Sequence, residues 1–356
     1  MKTAKVIKNS TYAIYGLGLS GNSTFKFLKK KNVNKIYTWD DKKNKNDKKK
    51  FNLFKHILDR VDYIVISPGI KIQKTKFKSS LFRNKKKIIT DLDLFYMQEI
   101  PIKSIVITGT NGKSTACKLT QHIFKANRLN AQLGGNIGKP ILDLKIKKKS
   151  IIIIEASSFQ LAHSKYIKPN FAAILNISND HLDWHNTVGN YKNSKFKIFE
   201  KQDGSDIALL SDKKLIRLFR SNNYLSKLKI VKKYFLNNSI KKLINNDYLI
   251  SEPNLKNLAF VYQISKMFNI KEKNFLKALN NFKGLPHRNE IFLKKNKITF
   301  INDSKATSFD STKYALKNYD KIFWIFGGLP KLRDKFNFKG LSSNIIKSFI
   351  IGKNTI

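Results

Sequence analysis

The sequence has one cysteine, Cys117, only 7 arginines, and no apolar run near the ~20 residues that a bilayer-spanning helix needs. A single cysteine excludes an intrachain disulfide, and with it a disulfide-held scaffold; it fits a reducing cytoplasm. The amino terminus, MKTAKVIKNS, is charged but lacks an apolar h-region, so a cleaved signal peptide is not expected. Acidic residues are also scarce. Asp and Glu number 24 against 70 Lys and Arg, a formal charge of +46. Such an excess ordinarily suggests a nucleic-acid or membrane-surface partner. The shortage of arginine argues otherwise, because its planar fork is the usual reader of phosphates and base edges. The bases here are 63 lysines spread along the whole chain, in short clusters such as residues 48–50, 85–87 and 147–149. Asn, Ile and Phe, which share AT-rich codons with Lys, are abundant too. The charge therefore reads as lysine on solvated positions, with no specific nucleic-acid partner expected.

Apolar residues make up 41% of the 356, enough to fill real cores and exclude a wholly disordered chain, and the length suggests two or three domains. Strand and helix signals alternate at the amino end. Short apolar runs at residues 12–15, 36–39 and 63–66 stop at glycines, at Asp40 and at Ser67-Pro68-Gly69, while residues 41–50 read as a charged loop. This rhythm predicts a parallel sheet covered by helices. A second unit starts near Ile100-Pro101. Its runs at 104–108, 151–154 and 171–175 have the continuous apolar character of strands buried on both faces. Helices are expected at 257–268 and 273–279, and a third unit then carries strands at 298–301 and 322–326, ending after the apolar run 345–351.

Five motifs sit where such strands end. Gly16-Leu17-Gly18-Leu19-Ser20-Gly21 lies between a strand and a helix, with Asp40 closing the next strand. Glycines let the backbone approach a phosphate, and the helix N-terminus supplies N–H donors. The pattern indicates a nucleotide diphosphate more than NAD; the plainer alternative is a glycine turn used for packing. Gly109-Thr110-Asn111-Gly112-Lys113-Ser114-Thr115 is a P-loop in character, though shorter than the common spacing. Its backbone suits phosphates, Lys113 the β/γ oxygens and the Ser114 hydroxyl Mg²⁺. Glu155 ends a buried strand, where ligands gather in open α/β sheets, and suits a magnesium ion; alone it would read as a helix cap. Asn179-Asp180-His181-Leu182-Asp183-Trp184-His185 invites zinc, but beside a P-loop, magnesium and phosphoryl chemistry explain it better. Leu285-Pro286-His287-Arg288 and Asn302-Asp303-Ser304-Lys305 offer an arginine for a phosphate and an acid for a ribose.

Taken in order with Ser67-Pro68-Gly69-Ile70, Gly135-Asn136-Ile137-Gly138 and the run EASSFQL at 155–161, these motifs resemble the Mur ligases, and within them the branch that adds D-glutamate. The resemblance runs from about residue 11 to the end. It implies an α/β fold of three domains: a Rossmann-like UDP-binding domain (1–97), a central P-loop ATPase domain with a mostly parallel sheet (98–284) and a C-terminal Rossmann-like domain (285–356). The family's last domain continues past the equivalent of Ile356, so an incomplete third domain is expected. The implied reaction is ATP-dependent amide formation between UDP-N-acetylmuramoyl-L-alanine and D-glutamate, through an acyl phosphate, in peptidoglycan precursor synthesis. ATP and Mg²⁺ are the implied cofactors, and a cytoplasmic monomer without membrane insertion is expected.

Roles follow by position. Gly109, Thr110, Asn111, Gly112, Lys113, Ser114 and Thr115, with Asn257, Arg288 and Asp303, resemble ATP contacts. Leu19, Ser20, Asp40, Gly69, Asn136 and Ser157 resemble contacts to the UDP substrate. Ser114, Glu155 and His181 resemble metal ligands, and Lys195, in a Tyr-x-x-x-Lys frame, resembles a lysine carbamylated in this family; a surface lysine is its plainer reading. Lys305, Thr307 and Lys331 resemble the D-glutamate side. Trp184 departs from the family, standing where arginine is common. Nearby alternatives are a folylpolyglutamate synthase, which lacks a UDP-binding domain, a basic nucleic-acid-binding ATPase, and an NAD-binding protein, which leaves everything after Gly109 unexplained.

Overall fold

The structure, a computed structural model, describes residues 2–44, 46–178, 180–232, 242–246, 248–249, 252–306, 309–328 and 340–352. The chain divides into two compact units, Met1–Lys232 and Lys233–Ile356.

The first unit holds two parallel sheets. In the smaller, β1 (Tyr12–Tyr15), β2 (Ile36–Trp39), β3 (Tyr63–Ile66) and β4 (Ile88–Ile89) run in the order β2-β1-β3-β4. Each of β1 and β3 is a short β-branched or aromatic run with almost no exposed side chain, as expected of strands covered on both faces. One face packs Ala13, Tyr15, Trp39, Phe54 and Phe77 together, and the other packs Tyr12, Ile14, Phe27, Leu28 and Val65. The expected loop at 41–50 is cut short: Asp47 caps a helix, Lys48–Arg60, by accepting the Lys50 N–H at 2.9 Å.

In the larger sheet, β5 (Lys103–Thr108), β6 (Ala131–Gly135), β7 (Ile151–Glu155), β8 (Phe171–Ile174), β9 (Ile207–Leu210) and β10 (Lys227–Ile230) run all parallel in the order β10-β9-β8-β5-β7-β6. Val106, Ile152, Ile154, Ala172 and Ile174 form the centre of its core with Phe196 and Phe199 of the helix Val188–Glu200. Strands β6, β9 and β10 escape the sequence reading. Two glycines interrupt β6, and β10 alternates lysine with apolar residues at a sheet edge. In both sheets the chain leaves a central strand, β1 or β5, to cross over on either side. The loops after β1, β2 and β3 therefore meet at one end of the first sheet, and those after β5, β7 and β8 at one end of the second, where α/β sheets bind ligands.

In the second unit, the helices Glu252–Met267 and Glu272–Asn280 precede an antiparallel hairpin of β11 (Glu290–Lys295) and β12 (Ile298–Asn302). The hairpin's first strand escapes the sequence reading. A parallel pair follows, β13 (Ile322–Gly327) and β14 (Ile345–Ile351), with Leu316, Trp324 and Leu341 as a small core. Among the described residues, no helix is long and apolar enough to cross a membrane.

Candidate active site

The glycine loop after β1 is built for close backbone approach. Gly16 sits at φ +92°, and a Cβ on Gly21, in the first turn of the helix Leu19–Lys30, would lie 1.9 Å from the Gly16 carbonyl oxygen. Asp40, at the end of β2, ties two loops together. Its Oδ2 accepts the Leu17 N–H at 2.7 Å and its Oδ1 the N–H groups of Lys42 and Lys43 at 3.0 and 3.3 Å. These bonds, that from Leu17 foremost, hold its carboxyl below the usual range. Leu19 is 84% exposed, Gly69 lies in the open loop after β3, and Ser20 stands beside Leu19, so the sheet brings these four predicted residues to one end.

The loop after β5 is held from below. Gly112 takes φ +84° and caps the helix Lys113–Ala126. The Thr110 N–H donates to the Asn176 carbonyl at 2.9 Å, and Asn176 grips Asn111 at both ends, accepting its N–H at 2.9 Å and donating to its carbonyl at 3.0 Å. Lys113 turns back over the loop, donating to the Gly109 and Thr110 carbonyls at 2.8 and 2.7 Å. Ser114 and Thr115 are buried in the first turn. The loop is thus held at Thr110, Asn111 and Lys113 and leads into a helix N-terminus, an arrangement suited to an anion.

Glu155 is buried at the end of β7, paired with Ile107 of β5, two residues before this loop begins. Its Oε1 accepts the Asn136 side-chain amide at 2.7 Å, and its Oε2 is buried with no hydrogen-bond partner. The helix-cap reading fails: Ser157 caps the helix Ser158–His163, in a reciprocal box with Gln160. An orphaned carboxylate oxygen beside a phosphate loop fits a hard cation such as Mg²⁺, with the Ser114 hydroxyl as a second oxygen donor. Among the described residues there is no group of three or more His, Cys, Asp or Glu that could hold a metal ion by itself.

Lys195 is no surface lysine; it is 1% exposed. Its Nζ donates to the Gly109 carbonyl at 2.8 Å and lies 4.6 Å from the centre of the Tyr191 ring. Burial, and then the neighbouring charge of Lys113, push its amine well below the usual lysine range, against the pull of Asp180 and Glu155. The Tyr191 hydroxyl bonds Thr110 Oγ1 at 3.0 Å, so the Tyr-x-x-x-Lys frame wraps one face of the P-loop. His181 takes a left-handed φ of +54°, its Nε2 3.4 Å from Asp180 Oδ2 and its ring against Phe159. Its neighbour His185 is buried and bonded to Ser158 at 3.0 Å; burial pushes it down to about 4, so it is a neutral packing histidine.

The other predicted residues lie in the second unit. Asn257 is buried in the helix Glu252–Met267. Asp303 accepts the Asn289 N–H at 2.9 Å, and Arg288 is near enough to oppose the upward push of burial on its carboxyl. The Lys305 N–H donates to the His287 carbonyl at 3.0 Å, so the two motifs of this unit meet. Thr307 and Lys331 lie outside the described residues.

Residues 107–275 match the Mur ligase middle domain. A UDP-N-acetylmuramoylalanine–D-glutamate ligase of Buchnera aphidicola subsp. Schizaphis graminum (strain Sg) is 35% identical, over 96% of this chain and 83% of that protein. One of Rickettsia prowazekii (strain Madrid E) is 32% identical, over 97% of this chain and 83% of that protein. Among solved structures, a MurF ligase from Thermotoga maritima in complex with ADP matches with a TM-score of 0.55 at 13% identity, over 97% of this chain and 87% of that one. A UDP-N-acetylmuramate–alanine ligase, MurC, from the same organism matches with a TM-score of 0.53 at 16% identity, over 90% of this chain and 81% of that one. At such identities the structural likeness speaks for the fold.

Proposed function

The chain belongs to the Mur ligase family, and from that premise we propose that it joins D-glutamate to UDP-N-acetylmuramoyl-L-alanine with ATP, as the name of its Buchnera and Rickettsia relatives describes. One observation carries the reading: a single compact unit presents two phosphate-type loops, Gly16–Gly21 and Gly109–Thr115, each at the end of its own parallel sheet. One nucleotide-bearing ligand would leave one loop idle.

The chemistry follows from the groups at hand. A carboxylate is a poor electrophile. In the proposed reaction an oxygen of the muramoyl-alanine carboxylate attacks the γ-phosphorus of ATP and ADP leaves. The amine of D-glutamate then attacks the acyl phosphate carbon, phosphate leaves, and the amine gives up a proton. Protein covalent chemistry is not needed; alignment and neutralised charge carry the first step. Lys113 and the loop N–H groups are suited to the β/γ-phosphates. Glu155 and Ser114, with His181, would hold Mg²⁺, which when bound spreads the negative charge of the phosphates. Asn136 keeps the Glu155 carboxylate oriented. Lys195, whose amine burial pushes well below the usual lysine range, is the proposed carbamylation site; as an amine it supports the P-loop through Gly109. Leu19, Ser20, Asp40, Gly69, Asn136 and Ser157 are proposed for the UDP substrate. Asn257, Arg288, Asp303 and Lys305 keep the roles the resemblance gives them, as do the domain limits 1–97, 98–284 and 285–356. A reaction that consumes ATP on a nucleotide sugar belongs in the cytoplasm.

Calorimetric titration tests the reading. The chain should bind UDP-N-acetylmuramoyl-L-alanine, more weakly after Asp40→Ala, and should not bind NAD. Preference for NAD, or no binding by a folded chain, would overturn it.

A further inference from the structure

The helix Asp91–Tyr96 carries two buried carboxylates with unlike surroundings. Asp93 is saturated. Its Oδ1 accepts the N–H groups of Lys165 and Tyr166, both at 2.7 Å, and its Oδ2 accepts Thr90 N–H at 2.8 Å and Thr90 Oγ1 at 3.2 Å. Asp91 is 3% exposed, yet only its Oδ1 is engaged, by the Leu92 N–H at 3.0 Å and the Gln160 side-chain amide at 3.5 Å. Its Oδ2 is buried without a hydrogen-bond partner. Burial pushes this carboxyl up to about 6, against the hydrogen bonds from Gln160 and Leu92. Its helix shares a core cluster with the helix Leu19–Lys30, Leu94 lying with Phe27 and Leu28. A buried group left half satisfied is costly, and such costs are kept where they serve a site.

Asp91 thus lies between the two turns proposed for the UDP substrate, its helix sharing a core cluster with the Ser20 helix and its Oδ1 accepting from Gln160. Ser20 stands in the first turn after the glycine loop. Gln160 is the reciprocal cap partner of Ser157, its Oε1 accepting the Ser157 N–H and hydroxyl at 3.1 and 3.0 Å. Gln160 thus spends its oxygen on Ser157 and its nitrogen on Asp91. We propose that Asp91 is a positioning residue for the UDP substrate, aligning the Ser20 turn of the first sheet with the Ser157 turn of the second through its buried carboxyl. The proposal rests on the ligase reading above. It deepens that reading by naming what sets the spacing between the two turns.

The test is calorimetry of the whole chain with UDP-N-acetylmuramoyl-L-alanine and, separately, ATP. Asp91→Ala should weaken the UDP substrate about tenfold, the scale of one lost hydrogen bond to a charged group, and leave ATP within about twofold. Asp91→Asn, which keeps an acceptor of the same shape, should recover most of the loss. If Asp91 acts through Gln160, Asp91→Ala should add nothing to Gln160→Ala. Unchanged affinity for the UDP substrate, or parallel loss for both ligands together with the melting temperature, would overturn the proposal and leave Asp91 a packing residue. Should Asp91→Ala fail to fold, Gln160→Ala makes the same cut from the other side and must show the same selective loss. If the wild-type chain binds no UDP substrate, the ligase reading itself falls, and this proposal with it.

Discussion

Lys195→Met separates a lysine kept for a site from one kept for stability. Lys195 is 1% exposed, and it donates to the Gly109 carbonyl at 2.8 Å and the Thr108 hydroxyl at 3.5 Å, neither of them a carboxylate. Methionine fills a similar volume and loses one good hydrogen bond, about 1 kcal/mol. The Gly109 carbonyl is not orphaned, since Lys113 also donates to it at 2.8 Å. Against this loss stands relief from burying an amine that burial drives well below its usual range, a penalty of several kcal/mol for a fully charged ion. The net expectation is stability equal to wild type or up to about 2 kcal/mol higher. Each 1 kcal/mol is worth about 2–4 °C of melting temperature for a unit of this size. Activity, measured as D-glutamate-dependent ADP release, should fall by about 100-fold or more, the scale seen when one preorganised electrostatic group is removed. A melting temperature lower by more than ~6 °C would refute the reasoning, because a loss near 3 kcal/mol is the mark of breaking a buried ion pair.

Three further outcomes are expected. Gly21→Ala places a Cβ 1.9 Å from the Gly16 carbonyl oxygen, so the loop must open; calorimetry should show binding of the UDP substrate lost while ATP binding persists. Asn136→Ala removes the 2.7 Å amide bond to Glu155 Oε1 and leaves neither carboxylate oxygen with a hydrogen-bond partner, a cost of roughly 1–3 kcal/mol that Mg²⁺ should partly restore, so added Mg²⁺ should raise the variant's melting temperature more than the wild type's. His163 is pushed down to about 4, chiefly by burial. Below its ordinary pKa of 6.5 the unfolded chain takes a proton that the folded chain refuses until about 4, so stability falls as pH drops through that window. Urea unfolding at pH 7 and 4.5 should show the wild type losing about 2–3 kcal/mol more than His163→Phe; an equal loss would sink the assignment.

Strands β1 and β3 stand at the residues their apolar runs mark, and β5, β7 and β8 within one residue of them, because strands buried on both faces write themselves as continuous runs. The edge strand β2 is legible as well, through its run Ile36–Trp39. Where a strand alternates lysine with apolar residues, as β10 does, or carries glycines, as β6 does, that signal vanishes. Motif residues were readable because phosphate chemistry demands particular residue types at fixed spacing. Partnerships were not. That Asn176 clamps Asn111, that Tyr191 braces Thr110, and that Lys195 reaches under Gly109 depend on which loops the strand order brings together. Asp91 and Asp93 look alike in Asp91-Leu92-Asp93-Leu94-Phe95; only their packing sets one saturated carboxylate beside one left open.

The most direct test of the central claim is mass spectrometry of a mixture of the chain, ATP, Mg²⁺, UDP-N-acetylmuramoyl-L-alanine and D-glutamate. The account predicts a product heavier by one glutamyl residue, one ADP formed per product, and no product when L-glutamate replaces D-glutamate. A folded chain that binds both nucleotides yet forms no such product, or that uses L-glutamate equally well, would contradict it.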